Sequence, residues 1–224
     1  MPALRRHQLA RLTPQSWQAL LTRAWDNEAR ACLTHWATHG LPLVVTVQRA
    51  IQPGEVALGL PAPWCWGRRR IALQVAKAAI ESLDTCPPLH ALAHTFPDRA
   101  PSWQPLIAAL DSLHAQAHVY GSHAWQHLTG LDYVHAESDL DLWVGVAGED
   151  HADAVAAALG SASPPGLRCD GELVFPAGAA VNAREWQTWR EGRARSLLVR
   201  ELNGASLCTA ATFAATPTTP QESA

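Results

Sequence analysis

GSHAWQHLTGLDYVHAESDLDLW, residues 121–143, decides how the rest of the chain is read. It opens on Gly121-Ser122, a turn leading into a short helical pattern over 123–128. Asp139-Leu140-Asp141 follows, with Asp139 seventeen residues beyond Ser122. In a strand successive side chains alternate, so Asp139 and Asp141 share one face with Cα atoms about 7 Å apart. Leu140 and Leu142 then face the other way, against a core. Two carboxylates on one face repel each other unless a cation stands between them. Mg²⁺ prefers carboxylate, water and phosphate oxygens. The pair reads as a divalent-cation site that also holds substrate phosphates, with Mg²⁺ the expected ion and Mn²⁺ its substitute.

Gly121 and Ser122 supply the other half. A glycine lets backbone N–H groups approach a phosphate closely, and the serine hydroxyl and helix start offer further donors. The alternative is an ordinary cap at Ser122 with solvated aspartates. Metal-assisted phosphoryl transfer generally uses a third carboxylate to activate the nucleophile. Asp170 is the choice, because it flanks Leu173-Val174 at a strand start; Glu172 is the alternative.

Working outward, Thr13 caps a helix that begins at Pro14. Trp17, Leu20, Leu21, Trp25, Cys32, Leu33 and Trp36 recur at helical spacing, and Gly40 ends that pattern. Strands over 43–48 and 55–60 pair as a hairpin through Gln52-Pro53-Gly54. After a Pro- and Trp-rich turn, Arg68, Arg69 and Arg70 precede Ile71, Ala72, Val75, Ala76, Ala79 and Ile80, read as one helix face. Arginines at the positive end of a helix favour an anion there. A further helix spans about 103–116. Beyond Asp141 the pattern predicts a helix over 151–159 and a segment over 167–175 turning at Asp170-Gly171. A short strand near 181–183 and a short helix from 185, with Arg184 and Arg190 beside it, complete the pattern. Residues 203–224, rich in Ala, Thr and Pro, are expected to form a disordered tail.

The chain has 224 residues, 48 % hydrophobic and 17 % charged, which supports a packed core. A net charge of -3 gives no basic excess for a nucleic-acid partner. Five scattered cysteines indicate neither a zinc knuckle nor a disulfide framework. The run MPALRRHQLARL is no continuous apolar signal segment and no apolar run reaches the length of a spanning helix, so a cytoplasmic protein is expected. Rossmann, Walker and nucleophile-elbow patterns are absent.

Gly-Ser followed by a DLDL strand resembles the nucleotidyltransferase superfamily typified by DNA polymerase beta. The full run from 121 to 143, together with GLPAPWCWGRRRIAL and RCDGELVFPAGAAVNAREW, is similar to the phosphoribosyl-dephospho-CoA transferases of malonate decarboxylase over about residues 5–202. The resemblance implies an α/β fold, a nucleotidyltransferase-like mixed sheet flanked by helices. Residues 83–202 would form it, with a smaller N-terminal α+β module over 1–82. It implies transfer from triphosphoribosyl-dephospho-CoA to a serine of the malonate decarboxylase acyl-carrier protein subunit, with diphosphate leaving. Asp139, Asp141 and Asp170 would hold the metal and perform the chemistry, Asp170 helping to deprotonate the serine. Gly121 and Ser122 would hold the leaving diphosphate. Arg68, Arg69, Arg70, Arg184 and Arg190 are candidates to neutralise donor phosphates. Another transferase of the same fold, or an inactive binding protein, is the competing expectation.

Overall fold

The computed structural model describes residues 4–210. Alternating burial builds its first sheet. This half comprises β1 (Leu9–Leu12), α1 (Pro14–Leu21), α2 (Asn27–His39), β2 (Leu43–Val45), β3 (Glu55–Pro61), β4 (Arg70–Ala76) and β5 (Ile80–Asp84). The strands lie in the order β4-β3-β2-β1-β5, all antiparallel. As the sequence predicts, Thr13 Oγ1 accepts the Ser16 N–H at the start of α1, and Gly40 ends α2 in the left-handed region.

The predicted helix after Arg70 is instead strand β4. Ile71, Leu73 and Val75 are buried while Ala72, Gln74 and Ala76 are exposed. That period of two matches β3, with which β4 pairs from Glu55↔Ala76 to Pro61↔Arg70. The β-branched residues at 71 and 75 fit the pleated surface, and Ala72 and Ala76, which suggested a helix face, are solvent positions.

The second half comprises α3 (Ala100–Ser112), β6 (Ala117–Tyr120), α4 (Gly121–Thr129), β7 (Leu140–Gly145), α5 (Glu149–Ser161), β8 (Cys169–Val174), β9 (Ala180–Asn182), α6 (Ala183–Arg190), β10 (Leu197–Glu201) and β11 (Gly204–Cys208). Its strands run β11-β10-β9-β8-β7-β6, and β7 with β8 is the parallel pair that makes the sheet mixed. Helices α3, α5 and α6 pack on it. Asp170-Gly171 is no turn but the interior of β8. A Cβ on Gly171 would lie 2.8 Å from Leu159 Cδ1, so the glycine admits close approach of α5 to the strand. The expected disordered tail is ordered at its start, because 204–208 pair with β10 as β11. The remainder of that tail from 211 lies outside the described residues.

Two hydrophobic cores result, and the 121–143 stretch enters both. Leu140 and Leu142 belong to the core of the six-stranded sheet, whereas Trp125 and Tyr133 are buried in the N-terminal core. The Tyr133 hydroxyl donates to the Pro61 carbonyl at 2.7 Å. The site segment is thereby fixed to both sheets.

Candidate active site

β6 and β7 run antiparallel with Tyr120 opposite Asp141. The chain then turns at Gly121, φ +66°, straight into α4. A Cβ built on Gly121 would lie 1.8 Å from Asp141 Oδ2 and 2.8 Å from its Cγ, closer than any real Cβ contact. Only glycine satisfies both the backbone angle and the carboxylate. Tyr120 occupies the cap position of α4 and makes no side-chain cap bond, so the helix start is uncapped by any side chain. Ser122 lines the adjacent cavity rather than serving as the cap.

His123, on the first turn of α4, is fully buried. Its Nε2 accepts from Arg99 Nη1 at 2.9 Å, and its Nδ1–H donates to the Asp139 carbonyl at 3.1 Å. Burial and the neighbouring Arg99 guanidinium push this imidazole down to about 4, which keeps it neutral. The ring therefore anchors the backbone that carries Asp139.

Asp139 and Asp141 line the cavity together. Asp141 stands opposite Asp170 across the parallel β7–β8 pair. Burial, then the charges of Asp170, Asp139 and Glu172, push the Asp141 carboxyl up to about 7, with Arg168 opposing. Arg168 reaches Asp139 at 3.6 Å from an exposed position. Asp170 Oδ1 accepts from Asn182 Nδ2 at 2.6 Å, and the same Asn182 caps α6 through its other amide atom. Glu172 is buried and engaged by His7 at 2.9 Å, Arg6 at 3.2 Å and Arg200 at 3.9 Å. Burial alone would raise its carboxyl; these partners outweigh it and hold the group below the ordinary range. Among the described residues, no three His, Cys, Asp or Glu side chains converge as a metal cage.

The cavity, about 900 Å³, lies between the sheets. Gly121, Ser122, Asp139 and Asp141 line one part; Leu58, Leu60, Trp64, Arg68 and Arg70 line another. Arg68, at φ +55°, lays its guanidinium 4.4 Å from the centroid of the half-exposed Trp64 ring. Since β4 is a strand, no helix dipole underlies this cluster. Arg69 turns away to a paired contact with Asp26, both bonds 2.7 Å, and to Glu28. Arg190 is held by Asp153 and Glu149. Arg184 donates to the Cys169 carbonyl at 2.9 Å, beside β8 but outside the cavity lining. Of the five arginines singled out in the sequence, Arg68 and Arg70 reach the cavity. Sequence reasoning missed Arg6, His7 and His123. His123 sits inside the deciding stretch, but nothing in its spacing reveals burial. Arg6 and His7 are brought in only by tertiary folding.

An uncapped helix start against Asp141, with Asp139 on the same cavity, suits the handling of a phosphate ester, and with this sheet the chain is an enzyme of the nucleotidyltransferase-like class. Comparison with known proteins narrows the class. Residues 5–85 match the Phosphoribosyl-dephospho-CoA transferase MdcG N-terminal domain, and residues 89–211 match the C-terminal domain of the same enzymes. The chain belongs to the MdcG phosphoribosyl-dephospho-CoA transferase family. A Bradyrhizobium diazoefficiens protein named phosphoribosyl-dephospho-CoA transferase is 39 % identical over 209 residues, covering 88 % of this chain and 86 % of its own length. One of the same name from Xanthomonas euvesicatoria pv. vesicatoria is 39 % identical over 202 residues, covering 87 % and 89 %. No solved structure matches the chain. Among the described residues no helix is long and apolar enough to cross a membrane.

Proposed function

We infer that the chain transfers the phosphoribosyl-dephospho-CoA group from triphosphoribosyl-dephospho-CoA to a serine of the malonate decarboxylase acyl-carrier subunit. In this reading residues 1–82 form a donor-binding module and 83–202 the transferase domain. The observation that carries it is the seating of Asp141 against Gly121 in a chain of this family. It puts a carboxylate and phosphate-binding backbone at one point.

The serine hydroxyl attacks the donor α-phosphorus in line with the departing diphosphate. The new serine O–P bond completes a phosphodiester as the bond to the diphosphate oxygen breaks. The serine proton passes to Asp170, which Asn182 orients. Glu172, already engaged by three partners, is the weaker candidate for that proton. Gly121 and Ser122 hold the leaving diphosphate by backbone N–H and hydroxyl. Asp139 and Asp141 would hold a divalent cation. Their fit to one is supported by their shared place on the cavity wall and by the negative charges of Asp170, Asp139 and Glu172, which add to burial in raising Asp141. When bound, such an ion neutralises phosphate oxygens and the charge developing on the leaving group. Arg68 and Arg70 meet the remaining donor phosphates, and Trp64 offers a ring face to the adenine.

The test incubates the protein with donor, Mg²⁺ and apo carrier subunit and reads the carrier's intact mass. Gain of the entire phosphoribosyl-dephospho-CoA group is expected. An unmodified carrier rejects the reading; an adenylyl adduct in a parallel incubation with ATP in place of the donor would favour another transferase of this fold.

A further inference from the structure

Ahead of β1, residues 6 and 7 cross to the six-stranded sheet and pack at the point where β6 becomes α4. His7 adopts φ +61°, a left-handed conformation that residues with a side chain seldom take. Three contacts over-determine it. The Cys86 thiol donates to the His7 carbonyl at 2.9 Å. The His7 ring stacks on Tyr120 with centroids 4.2 Å apart, one residue before Gly121. Its Nε2 meets Glu172 Oε2 at 2.9 Å. The residue before this strained turn is Arg6.

Arg6 lines the cavity with Gly121, Ser122, Asp139 and Asp141. Its Nη2 donates to Glu172 Oε1 at 3.2 Å, yet its Nη1 is buried with no hydrogen-bond partner. Arg200, whose Nε stands 3.9 Å from the same Glu172 Oε1, likewise has a buried Nη1 with no partner. A buried carboxylate needs one guanidinium for neutrality; this one has two, Arg6 and Arg200. The excess positive charge stands beside Asp141 and Asp170, where an anionic ligand would otherwise be repelled. Buried donors without partners are costly and rare, and each calls for an acceptor.

We propose that Arg6 is a diphosphate-binding residue of this site, its Nη1 completing a pocket otherwise made by the Gly121-Ser122 turn. The guanidinium fork matches adjacent phosphate oxygens, and its fixed charge stabilises the diphosphate as it departs. Glu172 then serves as the positioning residue that holds Arg6, not as a third ligand beside Asp139 and Asp141. The proposal rests on the transfer reaction above for the identity of its ligand as a leaving group.

Calorimetric titration of inorganic diphosphate with Mg²⁺ into the whole chain tests the contact directly, alongside carrier-modification kinetics. R6A should weaken diphosphate affinity by about tenfold or more and lower transfer kcat/KM, while dephospho-CoA binds as before. R6K keeps the Glu172 ion pair but not the fork, and should give intermediate diphosphate affinity with a near-native melting temperature. If R6A does not fold, R6K decides: wild-type diphosphate affinity in a folded R6K overturns the proposal. Wild-type affinity in folded R6A does the same, and with transfer intact the functional reading stands without it. Arg6-dependent diphosphate binding in a chain that never modifies the carrier would instead retain this contact and reject that reading.

Discussion

Gly121 and Asp141 occupy each other's space: the Asp141 carboxylate fills the volume that a β-carbon on Gly121 would need. G121A should therefore lose about 1–3 kcal/mol of stability from overpacking and positive φ, and transfer should fall by roughly two orders of magnitude as Asp141 is displaced. Thermal unfolding and carrier modification measure the two effects. In a D141A background the collision is gone, so G121A should then cost only the backbone part, roughly 1 kcal/mol. Equal costs in both backgrounds would show that the two residues are not coupled.

Asp141 also predicts a pH dependence. Between its ordinary value of 3.8 and about 7 the folded chain keeps this proton while the unfolded chain releases it. Stability from this group is thus greatest at the acid end and is lost as pH rises through that window. The loss is on the order of 2–4 kcal/mol as an upper bound. D141N should remove it, leaving the metal-free variant more stable than wild type at pH 8. Added Mg²⁺ should raise the melting temperature of wild type at pH 8 and leave D141N nearly unmoved. Parallel pH profiles for the two proteins would contradict the assignment.

The site's centre was legible in sequence because strand alternation and glycine's freedom are local properties. Asp139, Asp141, Gly121 and Ser122 need only their own neighbours to be placed. Misreadings arose where the same letters serve two periods. Ile71, Leu73 and Val75 alternate, but the alanines between them imitate a helix face, and only pairing with β3 decides. Asp170-Gly171 carries turn chemistry, yet that glycine answers a close approach by Leu159, twelve residues earlier on another element. Arg69 and Arg190 look like their neighbours in sequence; their carboxylate partners lie more than thirty residues away. The Arg6–Glu172 contact spans 166 residues and leaves no local trace.

His123 makes stability depend on pH in the opposite sense to Asp141. Burial and the Arg99 guanidinium push it down to about 4 from an ordinary 6.5. The unfolded chain gains this proton first as pH falls, so stability present above pH 6.5 is lost on acidification toward 4. H123Q should flatten that acid limb. Because the ring positions the Asp139 backbone without touching substrate, H123Q should also lower kcat by about 10–100-fold with little change in donor KM. Wild-type kcat in a folded H123Q would confine the residue to packing.

The arginines separate by their partners. Arg68 and Arg70 line the cavity, and among the described residues neither forms an ion pair; Arg68 rests on Trp64 instead. Arg69 spends its guanidinium on Asp26, the residue that caps α2, and Arg190 joins α5 to α6 through Asp153 and Glu149. A hydrogen bond from a charged donor to phosphate contributes roughly 1.5–3 kcal/mol, so R68A and R70A should each raise donor KM by about tenfold or more. Their kcat should hold, since binding far from the reacting phosphorus is felt equally before and during reaction. W64A should act in the same direction if the ring carries the adenine. R69A and R190A should lower the melting temperature and leave donor KM alone, because each loses a contact within the protein rather than to the ligand. Steady-state kinetics on the four arginine variants decides. A KM effect confined to R69A or R190A would mean that the donor does not lie along Trp64, Arg68 and Arg70.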